Sequence, residues 1–196
     1  MKQSQLSHDI NILRQSLGAL SEAVVNPAFI VVSGLPGTGK SFFCRKLAEK
    51  APFCILESDA MRKTLFPVPD YSVKESSRLF AACYSLIEKL LDGGISLIFD
   101  ATNLAQRHHE RLYQISDRTG AKLVLVRVDA PPSIVYQRLQ TRSSEDNPED
   151  KSDAGWDIYR QMKPTVDKIK RNYLAVDTSR DIAPVIDKII RMIIYH

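Results

Sequence analysis

A glycine-rich stretch, GLPGTGKS, occupies residues 34–41 between an apolar segment and a helical pattern. Its spacing satisfies G-x-x-x-x-G-K-[ST], the Walker A pattern, in which backbone N–H groups surround phosphate oxygens and a lysine reaches the β- and γ-phosphates. Glycines permit this approach because they have no Cβ, and the following helix directs its positive dipole end at the same oxygens. The stretch predicts a nucleoside triphosphate site, with these binding residues: Gly34, Pro36, Gly37, Thr38, Gly39, Lys40, Ser41 and Phe42.

A hydroxyl and a carboxylate are predicted to hold the Mg²⁺ ion that accompanies a triphosphate. Ser41 ends the glycine-rich stretch, and Asp100 ends the apolar segment SLIFD, the Walker B arrangement. Thr102 and Asn103 follow and are expected to line the crevice at the carboxyl ends of the strands, where ligands bind in open α/β sheets. The sequence contains no N-K-x-D segment, the usual guanine reader, so ATP is the expected nucleotide.

Asp59 and Arg62 lie one helical turn apart, just beyond a second apolar segment. A carboxylate in this position could accept the proton of an attacking hydroxyl, while a guanidinium could orient an anionic substrate. The alternative is that Asp59 caps a helix and Arg62 is a surface charge. Arg138 and Arg142 are four residues apart on one helical face and could stabilise charge on the transferring phosphate. A solvated basic face is the alternative for this pair.

Apolar segments that alternate with helical patterns predict the fold that must position these residues. The five expected strands are nearly continuous in apolar residues, as parallel strands covered on both faces should be. They lie at 28–33, 53–58, 96–100, 122–128 and 173–177, and helices are expected near 40–50, 73–92, 104–119, 131–142 and from 181 onward. This alternation indicates an α/β fold, a doubly wound five-stranded parallel sheet with helices on both faces.

Two further segments are predicted outside this core. Residues 1–26 read as an amphipathic helical extension that ends at Asn26–Pro27, and residues 27–196 read as the catalytic domain. Residues 143–157 are polar and unpatterned and are interpreted as a lid. The basic stretch 160–171 is interpreted as a helix surface, and the two histidines of RHHER, His108 and His109, as solvated.

Composition limits the class of protein. The 196 residues are 44% hydrophobic and 26% charged, with a net charge of +4, which suits an anion-handling protein better than an obligate nucleic-acid binder. Cys44, Cys54 and Cys83 have no metal-site spacing, and their odd number argues against a disulfide framework. No apolar run has the length needed to span a bilayer, and no signal peptide is evident. A cytoplasmic location without a membrane partner is therefore expected.

Together these motifs resemble P-loop kinases of the polynucleotide 5′-kinase type and the bacterial AAA-type ATPase-kinases that share their motifs. The likeness covers about residues 28–177 and rests on GLPGTGKS, SDAMR, DATN, VDAPPSIVYQRLQTR and KSDA. It implies a kinase-type P-loop fold with a lid and a γ-phosphoryl transfer from ATP, with Mg²⁺, to a hydroxyl. It also implies that Asp59 is the general base, that Arg62 orients the acceptor, and that Arg142 stabilises the transition state with support from Arg138.

The acceptor stays open between a small molecule and the 5′-hydroxyl of a nucleic acid. Ser58 stands where the bacteriophage member of this group has a basic residue, so a nucleic-acid partner is possible but not favoured. Two other functions remain alternatives: a nucleotide-dependent switch or regulatory ATP-binding module, and a toxin-like kinase of sugar nucleotides. The sequence does not give the oligomeric state.

Overall fold

The computed structural model describes residues 2–102, 105–144 and 154–194 of the chain. Within these residues a five-stranded parallel sheet has the order β2-β3-β1-β4-β5, and its strands are β1 (Ala28–Gly34), β2 (Cys54–Glu57), β3 (Leu97–Thr102), β4 (Lys122–Asp129) and β5 (Leu174–Asp177). The helices are α1 (Lys2–Ser16), α2 (Lys40–Ala48), α3 (Ser58–Leu65), α4 (Val73–Asp92), α5 (Gln106–Thr119), α6 (Pro132–Ser144), α7 (Trp156–Met162) and α8 (Ala183–Ile194), with a 3-10 turn at Lys163–Thr165. The predicted α/β fold is confirmed.

The central strand β1 shows why the apolar segments became strands. Its side chains alternate between the two sheet faces, so that Phe29 and Val31 pack on one side and Ile30 and Val32 on the other, all buried. The first face is covered by α1, α3, α4 and α5, and the second by α2 and α8. Because both faces are covered, a nearly continuous apolar sequence is what β1 requires.

The strand register brings the candidate residues to one edge of the sheet. Gly34 at the end of β1 lies opposite Thr102 of β3, and Glu57 at the end of β2 lies opposite Asp100. Since all five strands run in the same direction, their carboxyl ends and the loops that follow them share this edge. The chain segments after β1, β2, β3 and β5 are therefore neighbours in space.

The N-terminal helix is shorter than predicted and belongs to the core. It ends at Ser16 instead of continuing to Asn26, because Gly18 adopts a left-handed backbone with φ 67°. Helix α1 packs on α3 and α4, and Leu13 is completely buried in the same core cluster as β1. Asp9 of α1, which is 1% exposed, accepts two hydrogen bonds of 2.7 Å from Arg78 of α4.

The segments around the predicted lid differ from the prediction in two ways. Helix α6 continues to Ser144 and α7 begins at Trp156, so both ends of the range 143–157 are helical, while residues 145–153 lie outside the described residues. The interpretation of 160–171 as a helix surface is wrong beyond Met162. There Pro164 interrupts the helix in a 3-10 turn, and residues 166–173 have no regular structure. None of the helices described is long and apolar enough to cross a membrane.

Candidate functional site

The loop formed by residues 34–41, here called the phosphate loop, depends on glycine at two positions. Gly39 precedes α2 with φ 91°, and a Cβ there would lie 2.9 Å from Oγ1 of Thr178. A Cβ on Gly34 would lie 2.3 Å from the carbonyl oxygen of Val128 in β4. No side chain fits at either position, so the chain can pass close to its neighbours and leave its N–H groups available.

Lys40 and Ser41 begin α2 and meet Asp100 from β3. The Lys40 ammonium is mostly buried and donates to the carbonyl oxygen of Leu35 at 3.2 Å. The Ser41 hydroxyl donates to Oδ2 of Asp100 at 2.7 Å. The predicted metal-binding pair is thus in direct contact beside the start of a helix. These oxygen ligands suit the hard cation Mg²⁺, and the ammonium with the helix N-terminus suits a phosphate.

The carboxyl group of Asp100 is nearly buried, at 5% exposure. Burial raises its pKa above the usual 3.8, and the negative charge of Asp59 raises the pKa further. The charge of Lys40 and the hydrogen bond from Ser41 act in the opposite direction without cancelling the effect of burial. A cation bound here would remove this penalty, because it would neutralise the ionised carboxylate.

Thr178, directly after β5, supports the phosphate loop from the opposite side and was missed by the sequence analysis. Its hydroxyl donates to the carbonyl oxygen of Thr38 at 2.6 Å. Arg138 of α6 donates to the Thr178 hydroxyl at 2.8 Å and to its carbonyl oxygen at 3.0 Å. Arg138 therefore lies beside the phosphate loop. The only signal for Thr178 was its position after a strand, at the edge where ligands bind.

Arg62 is buried within α3 and already has partners. Its guanidinium donates to the Glu75 carboxylate and, at 3.3 Å, to the Ser76 hydroxyl, and it lies 4.8 Å from the centre of the Tyr71 ring. Glu75 is also buried and accepts a hydrogen bond of 2.7 Å from the backbone of Asp70. Arg62 is therefore not a solvated surface charge. Sequence reasoning missed Glu75, which reads as an ordinary polar residue of α4.

The other predicted site residues lie at several places in the structure. Asp59 lies in the first turn of α3, partly buried, and Thr102 ends β3 opposite Gly34. Arg142 near the end of α6 donates to the carbonyl oxygen of Ala154, which precedes α7. Phe42, at 46% exposure, lies on the outer surface of α2. Asn103 lies outside the described residues.

A cavity of about 350 Å³, here called the side cavity, adjoins the phosphate loop. Its lining includes Leu35 and Thr38 of that loop, while Asp129 lines it at the end of β4. Tyr159 of α7 and Lys163 of the 3-10 turn line it from the other side. The side cavity is within the range of volumes of small-molecule sites, at the low end.

The expectation that both histidines of α5 are solvated is wrong. His109 is 2% exposed and lies in the lining of the side cavity. His108 is half-buried against the Phe80 ring, 4.3 Å between ring centres, and shares a hydrogen bond with the Tyr84 hydroxyl. Burial lowers the pKa of His108 below its usual value of 6.5. Both rings lie on the face of α5 that packs against the protein. The charged residues next to them in the sequence made a solvent-exposed position the expected one.

This fold and site define a P-loop domain, which implies nucleotide binding. Residues 29–168 match the model of a protein family described as AAA domain, and the chain belongs to that family. Among curated relatives, a UPF0200 protein of Saccharolobus islandicus and one of Saccharolobus solfataricus are each 28% identical over 141 residues. The match covers 65% of this chain and 71% of either relative.

Solved structures with the same fold include several small P-loop proteins. A gluconokinase of Sinorhizobium meliloti has a TM-score of 0.59 at 20% identity, over 85% of this chain and 91% of its own. The APS kinase CysC of Mycobacterium tuberculosis, in complex with AMPPNP and APS, has a TM-score of 0.60 at 20% identity, over 86% and 98%. Kti12 of Chaetomium thermophilum, in complex with ADP-AlF3, has a TM-score of 0.66 at 17% identity, over 84% and 98%. These likenesses identify the P-loop kinase fold.

Proposed function

We propose that this protein is a kinase that transfers the γ-phosphoryl group of ATP to a hydroxyl group of an acceptor. The observation that carries the proposal is the placement of Asp59 near the contact between Ser41 and Asp100. Asp59 is close enough to raise the pKa of Asp100, so a second carboxylate lies beside the predicted metal pair. A carboxylate in this place can accept the proton of an attacking hydroxyl, and the assay below tests whether that hydroxyl belongs to an acceptor or to water.

Each residue has a proposed role in the transfer. Lys40 and the N–H groups of the phosphate loop would bind the β- and γ-phosphates, and Arg138 and Arg142 would stabilise charge on the transferring group. Ser41 and Asp100 would hold Mg²⁺, which shields the phosphate charge when bound. Asp59 would accept the proton of the attacking hydroxyl.

The contacts of Arg62 indicate that its proposed role is to position other residues. The guanidinium of Arg62 donates to Glu75 and Ser76 and so connects α3 to α4. Arg62 would therefore hold α3, which carries Asp59, in position and form part of the wall of the acceptor site. Thr102, at the end of β3, would line the same site. This arrangement favours positioning and electrostatics as the source of catalysis, as is usual for phosphoryl transfer.

The test is transfer of label from γ-labelled ATP, with Mg²⁺, to a panel of hydroxyl acceptors. The panel contains 5′-hydroxyl RNA and DNA oligonucleotides, nucleosides, sugars, sugar acids, sugar phosphates and amino alcohols. The native protein should label one class of acceptor. Asp59→Asn should lower kcat for that acceptor by about 10²- to 10⁴-fold, the usual contribution of a general base, and leave ATP affinity within a few-fold.

A matched control uses Asp92→Asn, which removes an exposed carboxylate at the end of α4. This variant should transfer label at the native rate. ATP hydrolysis at equal rates in the native protein and Asp59→Asn, without label on any acceptor, would contradict the proposal and favour a nucleotide-dependent switch. Labelling confined to sugar nucleotides would favour the toxin-like alternative.

A further inference from the structure

Part of the side cavity is lined by residues outside the phosphate loop. Leu35, Ala130 and Pro132 give it apolar surface, and the chain from Tyr159 to Ile169 closes it on the side away from the sheet. Such a combination, mostly apolar with a few polar groups, is typical of a site for a small molecule. The polar groups in this wall therefore indicate what kind of molecule would fit.

Most of the charges in the lining are compensated within the protein. Arg127 donates to the Asp129 carboxylate at 2.7 Å, so these two residues neutralise each other. Asp167 accepts a hydrogen bond of 2.8 Å from the backbone N–H of Gln106, at the beginning of α5. A carboxylate at this end of a helix is stabilised by the helix dipole.

Lys163 differs from these groups. In the part of the chain that the structure describes, its ammonium forms no ion pair, and its recorded contact is with the face of the Tyr159 ring, 5.9 Å from the ring centre. Although Asp167 lines the same cavity, no described carboxylate lies within ion-pair distance of the Lys163 ammonium. A cation held over an aromatic ring at the mouth of a cavity attracts an anionic ligand.

Tyr159 gives a second, independent indication. The residue is only 4% exposed, and its hydroxyl makes no hydrogen bond within the described residues. Its ring is stacked on Trp156, with 4.9 Å between ring centres and planes 15° apart, so its direction is set by packing. Because Tyr159 lines the side cavity, its hydroxyl is available to hydrogen-bond a ligand bound there.

We propose that the side cavity binds an anionic group of the acceptor, a carboxylate or a phosphate, through Lys163 and the Tyr159 hydroxyl. The inference rests on the proposed kinase function and names the class of acceptor: a small hydroxylated acid or phosphate ester. The cavity and α3, which carries Asp59, lie on the same sheet face, and β1 and β2 are two strand spacings apart, about 10 Å. In this proposal the anionic end of a sugar acid or a sugar phosphate would lie at Lys163, and one of its hydroxyls would extend toward Asp59.

Binding can be measured without any transfer, because the chain has one tryptophan. Trp156 stacks on Tyr159, so its fluorescence should change when the side cavity is filled. Gluconate, glucose 6-phosphate and neutral glucose are titrated separately, with MgADP present to occupy the phosphate loop. At least one of the two anions should bind more tightly than glucose, and the better one distinguishes a carboxylate site from a phosphate site.

Three variants test the assignment. Lys163→Met should weaken binding of that anion by about 10- to 100-fold, the range for a charge-assisted hydrogen bond, and Lys163→Arg should retain most of it. Lys168→Met, which removes an exposed neighbouring lysine outside the cavity lining, should bind like the native protein. Binding of neither anion, equal binding of glucose, or an equal loss in Lys168→Met would overturn the inference.

The transfer assay separates this inference from the proposed function. For an anionic acceptor, Lys163→Met should raise KM and change kcat little. Lys163-dependent binding of an anion without label transfer to any acceptor would leave the anion site in place and contradict the kinase. Efficient transfer to an uncharged acceptor, with a KM that Lys163→Met does not change, would leave the kinase in place and contradict the anion site.

Discussion

Asp100 carries a conflict between stability and metal binding. Its carboxylate is buried, and burial holds its pKa above 3.8, so the ionised form is disfavoured in the folded protein. A raised folded-state pKa means that, at any pH above the unfolded value, ionisation of this group opposes folding. The residue therefore costs stability under the conditions in which we propose that it holds a cation.

Asp100→Asn should reveal this cost. The neutral amide has nearly the same size and keeps an oxygen for the Ser41 hydroxyl, so at pH 7 we expect the Tm to rise by about 2–4 °C, equivalent to about 1 kcal/mol for a chain of this size. The gain should shrink as the pH falls through the raised pKa and disappear below 3.8, where both proteins carry a neutral group. Thermal unfolding over this pH range, without Mg²⁺, is the measurement.

The same variant should lose Mg²⁺-dependent phosphoryl transfer, because an amide is a weaker ligand for a hard cation. Asp117→Asn removes an exposed carboxylate of α5, whose pKa is lowered by its hydrogen bond with Arg171, and it should lose stability slightly or not at all. A lower Tm for Asp100→Asn at pH 7 would show that ionised Asp100 stabilises the fold, contrary to this account.

At the scale of residues, the sequence predicted what local spacing encodes. The phosphate loop and Asp100 were recognised because each motif is contiguous and follows an apolar strand. Glu75 and Thr178 were missed because their roles depend on contacts between segments far apart in sequence, Arg62 with Glu75 and Thr178 with Thr38. A hydrogen bond between residues 140 positions apart leaves no periodic trace in the sequence.

Helix α1 is the element whose importance the sequence understated. Its periodic leucines predicted a helix, but the sequence could not tell whether that helix packs on the core or on a partner. In the structure Ile10 and Leu13 join the core cluster beneath α4, and the pair between Asp9 and Arg78 fastens the two helices together. The contact with α3 also places α1 behind the helix that carries Asp59.

Leu13→Ala should therefore destabilise the whole domain. A completely buried leucine that becomes alanine costs about 2–5 kcal/mol, from lost apolar burial and the cavity left behind. Urea unfolding should show this as a lower midpoint with an unchanged slope.

Val25→Ala is the matched control, because Val25 is 96% exposed in the segment after α1 and its replacement should change stability by less than about 0.5 kcal/mol. A Leu13→Ala protein as stable as the native one would mean that α1 is an appendage. Loss of stability in both variants would indicate that the segment after α1 is also required.

Element prediction succeeded where periodicity was strong and failed where a single residue decided the outcome. All five strands were predicted within one or two residues, because each is an apolar run. The long helix α4 was predicted equally well, because Gly93 marks its end. The end of α1 at Ser16, just before Gly18, and the break at Pro164 were missed, although glycine and proline commonly end helices. In each case the amphipathic or basic pattern of the sequence continues past the residue that ends the helix.

At the scale of the whole molecule, the site joins elements from both faces of the sheet. The phosphate loop follows β1 and leads into α2 on one face, Asp100 comes from β3, and Thr178 follows β5. Nucleotide that binds the folded state at this junction should therefore stabilise the entire domain.

MgADP at 100 times its Kd should add about 2.7 kcal/mol to the free energy of unfolding, visible as a Tm that rises with ligand concentration. Lys40→Met should remove most of this shift, because the ammonium faces the phosphate loop. Lys46→Met, on the exposed side of the same helix, should keep the full shift. Equal shifts in the two variants would place the nucleotide somewhere other than the phosphate loop.

The position of α1 also has a consequence for the order in which the chain is made. Helix α1 is synthesised before its partner α4, which is complete only at Asp92, and Asp9 meets Arg78 across 69 residues. Until α4 leaves the ribosome, Ile10 and Leu13 have no core to enter and remain accessible to chaperones. The central strand β1 can pair with its neighbour β4 only later, because β4 ends at Asp129. Helix α1, which packs on α3 and α4 in the finished protein, is thus an exposed apolar surface during part of translation.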